Sequence, residues 1–209
     1  MIEAWLWATP NSNRVSILLE ELGLTYQVHP VNIRKREQFA PEVLALNPYG
    51  KIPIVRFDGP NGRQTLFESG AILIHFAEAY GRLLPSEPSA RAETLAWLMV
   101  ALTGLGPMTG QAHHWSELAP EKSPVALSHT VSLVERAYGV LDARLAQSRY
   151  LGPDYSIADI AAFPWIARHA WATIDLSRFH HILRWYGDIG AREAVIRGML
   201  VPRGAKLED

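Results

Sequence analysis

Two neighbouring stretches decide the fold of this chain: Asn47-Pro48-Tyr49-Gly50-Lys51-Ile52-Pro53-Ile54-Val55 and Leu66-Phe67-Glu68-Ser69-Gly70-Ala71. Proline cannot donate to a sheet ladder, so Pro53 belongs at the first residue of a strand or in a tight turn, and a cis Ile52-Pro53 bond fits there. The backbone of Ile52 would then be free to pair with an extended peptide. Glu68-Ser69-Gly70 opens a helix whose unpaired N–H groups favour a carboxylate. Together the stretches predict a receptor for a small anionic peptide, although each alone also suits ordinary strand punctuation or helix capping.

The composition predicts a globular protein of one large or two small domains, because 48% of the 209 residues are hydrophobic and 20% are charged. Lys and Arg total 20 against 21 for Asp and Glu, so we expect no nucleic-acid partner. No apolar run approaches the roughly 18 residues of a membrane span, so we expect a cytoplasmic protein with no membrane partner. The absence of cysteine excludes disulfides, thiolate metal ligands and a protein thiol nucleophile.

Hydrophobic periodicity and turn residues predict a strand-helix-strand, helix, hairpin, helix order over about the first 80 residues, which is the order of a thioredoxin-like domain. The expected elements are a strand at 2–7, a helix ending at Gly23, a strand at 25–31, a short helix at 41–46, antiparallel strands at 54–57 and 65–67 joined by residues 58–63, and a helix ending at Gly81.

Beyond the first domain, strand alternation stops. Residues 84–90 contain two prolines and no periodicity, so the sequence predicts a domain at 1–83, a linker at 84–90 and an all-helical domain at 91–209. In residues 104–111, Gly104, Gly106 and Pro107 stand together and should kink or end the first long helix. Residues 197–209 have little periodicity and are expected to fray.

The loop before the first helix is the best candidate for chemistry. Thr9, Asn11 and Ser12 lie near a helix N-terminus, where hydroxyl and amide donors and the helix dipole favour a thiolate over a thiol. The alternative is that these residues only cap the helix.

Two further candidates are better explained by structure. Asp159 could act as a catalytic acid, but Ser156-Ile157-Ala158-Asp159 has the spacing of a capping box, which predicts a carboxylate that serves its own helix. His113 and His114 are adjacent on a predicted helix and point apart, so we expect no metal site there.

The order Asn-Pro-x-Gly-Lys-Ile-Pro followed by Phe-Glu-Ser-Gly-Ala-Ile resembles the glutathione-binding half of the glutathione transferases. Further matches at 104–108, 110–114 and 155–161 make the chain similar to bacterial Nu-class glutathione transferases, whose members resemble disulfide-bond oxidoreductases able to bind two glutathiones per site. The resemblance implies an α/β thioredoxin-like N-terminal domain with a cis proline, an all-α C-terminal domain, and a homodimer.

The resemblance also implies roles for individual residues. Thr9 and Asn11 would lie beside the glutathione sulfur, and Ser12 is a second hydroxyl that could compete with Thr9 for that role. The family's peptide-binding positions correspond to Gln38, Lys51, Ile52, Pro53, Glu68 and Ser69, with Glu68 suited to an ammonium group and Lys51 to a carboxylate. His129 occupies a place where the family tends to have an arginine, so a contact there would be weaker and pH-dependent.

The leading hypothesis is glutathione-dependent disulfide reduction, in which one bound glutathione thiolate attacks a small disulfide and a second glutathione resolves the product. Because the chain has no cysteine, both thiols must come from the ligand, and glutathione is a co-substrate with no metal required. Two alternatives stay open: glutathione conjugation to a hydrophobic electrophile, and a non-catalytic glutathione-binding regulatory module.

Overall fold

The chain forms two compact units in a computed structural model that describes residues 1–60 and 62–205. The first, which we call the sheet unit, combines the described residues of 1–82 with residues 192–205; the second, the helical unit, comprises residues 83–191. The boundary after Arg82 lies next to the linker expected at 84–90. The sequence places residues 192–205 in the predicted all-helical domain at 91–209, whereas in the structure they group with the sheet unit.

The sheet unit contains a four-stranded mixed sheet with the order β2-β1-β3-β4. Its elements are β1 (Ile2–Leu6), α1 (Pro10–Leu22), β2 (Tyr26–Pro30), α2 (Pro41–Leu44), β3 (Ile54–Gly59), β4 (Gly62–Phe67), α3 (Ser69–Tyr80) and α9 (Glu193–Met199), with a 3-10 turn at Glu37–Phe39. β1 is parallel to β2 and antiparallel to β3, and β3 is antiparallel to β4. The predicted thioredoxin-like order is confirmed.

The hairpin between β3 and β4 is tighter than the sequence predicts. The expected connection at 58–63 is shortened because Asp58 pairs with Arg63 and Gly59 with Gly62. Aspartate and glycine are depleted in strands, so propensity alone ends both strands too early.

Apolar side chains are buried on both faces of the sheet. Ala4 and Leu6 of β1 and Val55 of β3 are fully buried on one face. Because successive side chains alternate, Glu3 lies on the other face, where it accepts a hydrogen bond from Arg56 Nε at 3.0 Å. Ile54 lies on the face of Glu3 and is buried against Val31 and Val43, so that face combines charge pairing with apolar contacts.

Helix α1 begins at a capped turn. Thr9 is the N-cap, and its Oγ1 accepts a hydrogen bond from the Ser12 N–H at 3.3 Å. Pro10 takes the first helical position, where a missing N–H costs nothing, and Gly23 ends the helix in the left-handed conformation at φ 70°. The polar side chains buried on α1 are Ser12, Asn13, Arg14 and Ser16. Because they are buried, each of these side chains needs a hydrogen-bond partner within the protein.

Helix α9 supplies a partner for two of these side chains. The Gly198 carbonyl accepts hydrogen bonds from Asn13 Nδ2 at 3.2 Å and Ser16 Oγ at 2.6 Å. The backbones approach so closely that a Cβ on Gly198 would lie 2.6 Å from Cα of Ile17. Only glycine fits this contact.

Ion pairs flank the same contact. Arg192 Nε binds Glu21 Oε1 at 2.7 Å, and Arg197 Nε binds Glu20 Oε2 at 2.7 Å. The expectation that residues from 197 onward fray is wrong for Arg197 to Met199, which are helical. Residues 206–209, covered by the same expectation, lie outside the described residues.

The helical unit consists of α4 (Pro88–Met99), α5 (Gly106–His113), α6 (Pro124–Gln147), α7 (Ile157–Ile166) and α8 (His180–Gly190), with π-helical segments at Val100–Leu105 and His114–Leu118 and 3-10 turns at His169–Ala172 and Leu176–Arg178. The expected all-α domain is confirmed. The helix predicted to kink or end at 104–111 does not end there: a π-helical segment at Val100–Leu105 continues into α5, and Pro107, which lacks a backbone N–H, is the second residue after that segment. No helix within 1–60 and 62–205 is long and apolar enough to cross a membrane.

Asp159 closes the N-terminus of α7 as predicted. Its carboxylate accepts hydrogen bonds from the N–H groups of Ser156 and Leu151, each at 3.0 Å, and from Trp185 Nε1 at 2.8 Å. Ser156 Oγ accepts from Ala158 N–H at 3.3 Å, which completes the capping box. Complete burial raises the pKa of Asp159 to about 6, although the hydrogen bonds oppose that shift. The residue serves the fold.

The contact between α9 and α1 predicts a strong effect of a single methyl group. Gly198→Ala should destabilise the protein by roughly 1–3 kcal/mol, because the added Cβ overlaps the backbone of Ile17, which cannot rotate away as a side chain can. The matched control is Gly187→Ala in α8, where the added Cβ meets nothing within 4 Å, so stability should hold or rise by up to about 1 kcal/mol. Urea unfolding measures both; equal responses would contradict the prediction.

The raised pKa of Asp159 predicts a pH-dependent stability. The folded-state pKa of about 6 lies above the unfolded value of 3.8, so the stability from this group is present at low pH and is lost as pH rises through about 6. Between about pH 5 and pH 7 the loss is roughly 1 kcal/mol. The side chain of Asp159→Asn cannot titrate. The difference between its unfolding free energy and the higher value of wild type should therefore shrink by that amount over the same pH interval. A deficit that is constant or grows with pH in urea unfolding would refute it.

Candidate functional site

A polar cleft lies where strands of the sheet unit end. It has a volume of about 90 Å³. Its lining residues come from the start of α1, the loop before β3 and the junction of β4 with α3: Asn11, Asn47, Lys51, Ile52, Pro53, Glu68 and Ser69. Because β3 runs antiparallel to β1 and β4, the end of β1, the start of β3 and the end of β4 share one edge of the sheet. All of these residues except Asn47 were predicted from the sequence as site residues.

The loop before β3 is held by a side chain that the site prediction did not include. Asn47 is 1% exposed; its Nδ2 donates to the Lys51 carbonyl at 2.7 Å, and its Oδ1 accepts from Tyr49 N–H at 3.0 Å. The Lys51 ammonium lies 4.0 Å from the centre of the Tyr49 ring. The Ile52-Pro53 bond is cis, as expected. The Lys51 ammonium therefore lies on a loop whose conformation is fixed by the hydrogen bonds of the Asn47 side chain.

The start of α3 contributes the opposite charge. Glu68 is the N-cap and has φ 68°, a left-handed value that is costly for any residue except glycine. Its carboxylate is exposed, whereas Ser69, the first helical residue, is 5% exposed. Unpaired N–H groups of the first helical turn add partial positive charge beside these side chains.

The hydroxyl groups of Thr9 and Ser12, at the start of α1, differ in their burial. Ser12 is fully buried, and its Oγ accepts hydrogen bonds from Trp7 N–H at 3.2 Å and from Thr9 Oγ1 at 3.1 Å. Thr9 and Asn11 remain partly exposed. The buried Ser12 hydroxyl thus stabilises the loop through these hydrogen bonds and is absent from the cleft lining.

Arg14 is a second residue of this region, after Asn47, that the sequence analysis missed. It is 3% exposed, and its Nη1 donates to Asn11 Oδ1 at 2.8 Å and to Ser69 Oγ at 3.2 Å. Burial lowers the pKa of the guanidinium to about 9, and the neighbouring Glu68 carboxylate opposes that shift, so the group stays charged at neutral pH. Its three-residue spacing from Asn11 was the available signal, because such residues share a helix face.

Four predicted site residues are not in the cleft lining: Thr9, Ser12, Gln38 and His129. Gln38 lies in the 3-10 turn after β2, where its Oε1 is buried without a hydrogen-bond partner among the described residues. His129 lies in the helical unit, exposed on α6.

A larger cavity of about 670 Å³ lies at the other end of the strands, lined in part by Phe57, Phe76 and Tyr80. It contains none of the predicted site residues. His113 stacks on Trp171, with ring centres 4.2 Å apart. In the part of the chain that the structure describes, no group of three or more His, Asp or Glu residues could hold a metal ion.

The charges of the cleft complement a zwitterionic ligand. Glu68 can accept from an ammonium group, whereas Lys51 and the N-terminus of α3 can hold carboxylates. Thr9 and Asn11 place a hydroxyl and an amide at the start of α1, where the helix dipole favours a negative atom.

Comparison with known proteins gives matches to family profiles and to a relative that covers most of the chain. The family profile described as "Glutathione S-transferase, N-terminal domain" matches residues 8–79, and the profile described as "Glutathione S-transferase, C-terminal domain" matches residues 124–188. The disulfide-bond oxidoreductase YfcG of Escherichia coli is 40% identical over 204 residues, covering 96% of this chain and 95% of the relative.

Two crystal structures of bacterial glutathione transferases are also similar. The enzyme from Pseudomonas putida, with one glutathione disulfide bound per subunit, superimposes with a TM-score of 0.92 at 36% identity, covering 96% of this chain and 91% of the other. The enzyme from Burkholderia graminis, with two glutathione molecules bound per subunit, gives 0.91 at 36% identity, covering 98% and 89%. The chain therefore belongs to the glutathione S-transferase family.

Proposed function

We propose that this protein is a glutathione-dependent disulfide-bond reductase. The observation that carries the proposal is a cleft with the charge pattern of a glutathione site in a chain that contains no cysteine. Both reacting thiols then come from glutathione. The name of the YfcG relative and the ligands in the two bacterial structures support the same assignment.

In this proposal glutathione binds in an extended form along the cleft. Its backbone pairs with that of Ile52 beside Pro53, its ammonium group binds Glu68, and one carboxylate is held by Ser69 and the N-terminus of α3. Lys51 and Gln38 hold the remaining polar groups of the peptide. His129 is proposed, from the family resemblance, to contact a second glutathione.

Thr9 and Asn11 are proposed to stabilise the thiolate. Each hydrogen bond to the thiolate lowers the thiol pKa, and one pKa unit corresponds to about 1.4 kcal/mol of preferential stabilisation. The Thr9 hydroxyl donates to Ser12 Oγ in this structure, so it must rotate to donate to sulfur. The burial of Ser12 favours Thr9 and Asn11 over Ser12 for this role.

The reaction balances with glutathione as the reductant. The bound thiolate attacks one sulfur of the substrate disulfide, forms a mixed disulfide and releases the other sulfur as a thiolate, which takes up a proton. A second glutathione thiolate then attacks the glutathione sulfur of the mixed disulfide. The products are glutathione disulfide and two substrate thiols. A cytoplasmic location, expected from the sequence, and a homodimer, implied by the family resemblance, stay predictions.

The decisive assay compares two reactions on one preparation. We expect fast reduction of 2-hydroxyethyl disulfide by glutathione, coupled to glutathione reductase, and slow conjugation of chlorodinitrobenzene. The reverse ratio would refute disulfide reduction and favour conjugation. Failure of glutathione to bind in a calorimetric titration would instead indicate a module without this activity.

Removal of the Thr9 hydroxyl and removal of the Ser12 hydroxyl are predicted to have different effects, the first on activity and the second on stability. Thr9→Ala should lower kcat/KM for disulfide reduction by about tenfold or more, because one donor to the thiolate is lost. Ser12→Ala should mainly lower stability, by roughly 1–3 kcal/mol, because it leaves the buried Trp7 N–H without its acceptor. Steady-state kinetics and urea unfolding on both variants separate the roles. Unchanged reduction by Thr9→Ala would exclude Thr9 as the sulfur-side donor.

A further inference from the structure

Arg14 lies behind the lining of the cleft and contacts two of the lining residues, which belong to different helices. Its Nη1 carries two hydrogens, one directed to Asn11 Oδ1 at 2.8 Å on α1 and one to Ser69 Oγ at 3.2 Å on α3. Both acceptors line the cleft, whereas Arg14 is 3% exposed and is absent from the lining. The guanidinium therefore touches the ligand-binding side chains without facing the ligand.

The chemistry of the guanidinium dictates how those two side chains are oriented. Arginine has only donors, so every group that it contacts must use an acceptor. When Asn11 gives its Oδ1 to Arg14, its Nδ2 amino group is turned to the other side. When Ser69 Oγ accepts from Arg14, its own hydrogen is available to point elsewhere. Each side chain therefore presents a donor, and not an acceptor, on the side away from Arg14.

We propose that Arg14 is a positioning residue that sets the hydrogen-bond polarity of the cleft, turning the Asn11 amide and the Ser69 hydroxyl into donors for the thiolate and a carboxylate of glutathione. The inference rests on the proposed function. It explains why a full positive charge is buried at this place, where an apolar residue would fill the space at a lower desolvation cost.

The electrostatic surroundings support the assignment. The Glu68 carboxylate lies close enough to raise the pKa of the guanidinium against the lowering effect of burial, and that pKa stays near 9. Arg14 is therefore a charged donor at neutral pH. An asparagine amide without such a partner can rotate to offer its oxygen, which would repel a thiolate.

The test uses two probes that report on the two cleft residues separately. The thiol pKa of bound glutathione, read from the ultraviolet absorbance of the thiolate, reports on Asn11. The affinity for S-methylglutathione, which has no thiol, reports on Ser69. For Arg14→Met we expect the thiol pKa to rise by about one unit and S-methylglutathione to bind about tenfold more weakly. Arg14→Lys retains a charged donor and should recover part of both effects.

A second variant keeps the test decisive if Arg14→Met does not fold. Asn11→Asp retains the bond to Arg14 as an ion pair, so the protein should unfold at no lower urea concentration than wild type. Arg14 is expected to bind one oxygen of the new carboxylate. The other oxygen then takes the place of the amide nitrogen and faces the glutathione sulfur. The thiol pKa should therefore rise by about one unit or more, with disulfide reduction lowered in parallel.

The possible outcomes separate this inference from the function on which it rests. If wild type binds S-methylglutathione and lowers the thiol pKa, but both readouts are unchanged in Arg14→Met or the thiol pKa is unchanged in Asn11→Asp, the positioning role is refuted and the proposed function stands. A loss of stability in Arg14→Met with unchanged pKa and affinity would show a purely structural role and refute it as well. If wild type binds neither ligand, both proposals fall.

Discussion

The antiparallel pairing of β1 with β3 is the constraint on which the cleft depends. Its register sets Trp5 opposite Ile54, and the β3–β4 ladder sets Ile54 opposite Phe67. The segments that follow β1, precede β3 and follow β4 must then emerge at one edge of the sheet. A slip of one residue would turn every side chain of a strand to the opposite face of the sheet, so the burial of Ala4, Leu6 and Val55 on one face also fixes where the functional loops meet.

Helix α1 turns that edge into a rigid site by making polar contacts in two directions. Arg14 reaches toward the start of α3, and Asn13 and Ser16 reach the carbonyl of Gly198 on α9. Buried hydrogen bonds demand specific geometry, so they fix the rotation of the helix more closely than an apolar face alone would. Asn11, on the first turn of α1, inherits that fixed orientation.

Much of the fold was predictable because its signals are local. Pro53 at the head of a strand, Thr9 before a helix and the Ser156–Asp159 spacing each act within a few residues of the chain, and the structure has a cis bond, an N-cap and a capping box at these places. The cleft lining was largely predictable for another reason, since it falls in motifs shared across a family.

The remaining features depend on contacts between residues far apart in sequence. Nothing near Gly198 indicates that Ile17 will press against it, and nothing near Arg14 indicates that Ser69 will accept its hydrogen bond. Ser12 and Thr9 look equivalent in the sequence, and only the position of Trp7 N–H shows that one hydroxyl is directed inward. Helix α9 lacked a strong periodic pattern, because its fit to α1 relies on a glycine and flanking ion pairs.

The docking of α9 on α1 has a consequence for biosynthesis. The sheet unit is discontinuous along the chain, and the ribosome must finish the whole helical unit before Gly198 emerges. Until then Asn13 and Ser16 lack their acceptor, although every residue that lines the cleft has already been made. Nascent domains usually fold in order from the N-terminus. Here the first unit to be started is the last to be completed, so a ribosome that stalls before α9 leaves a chain with a full set of binding residues on an unfinished scaffold.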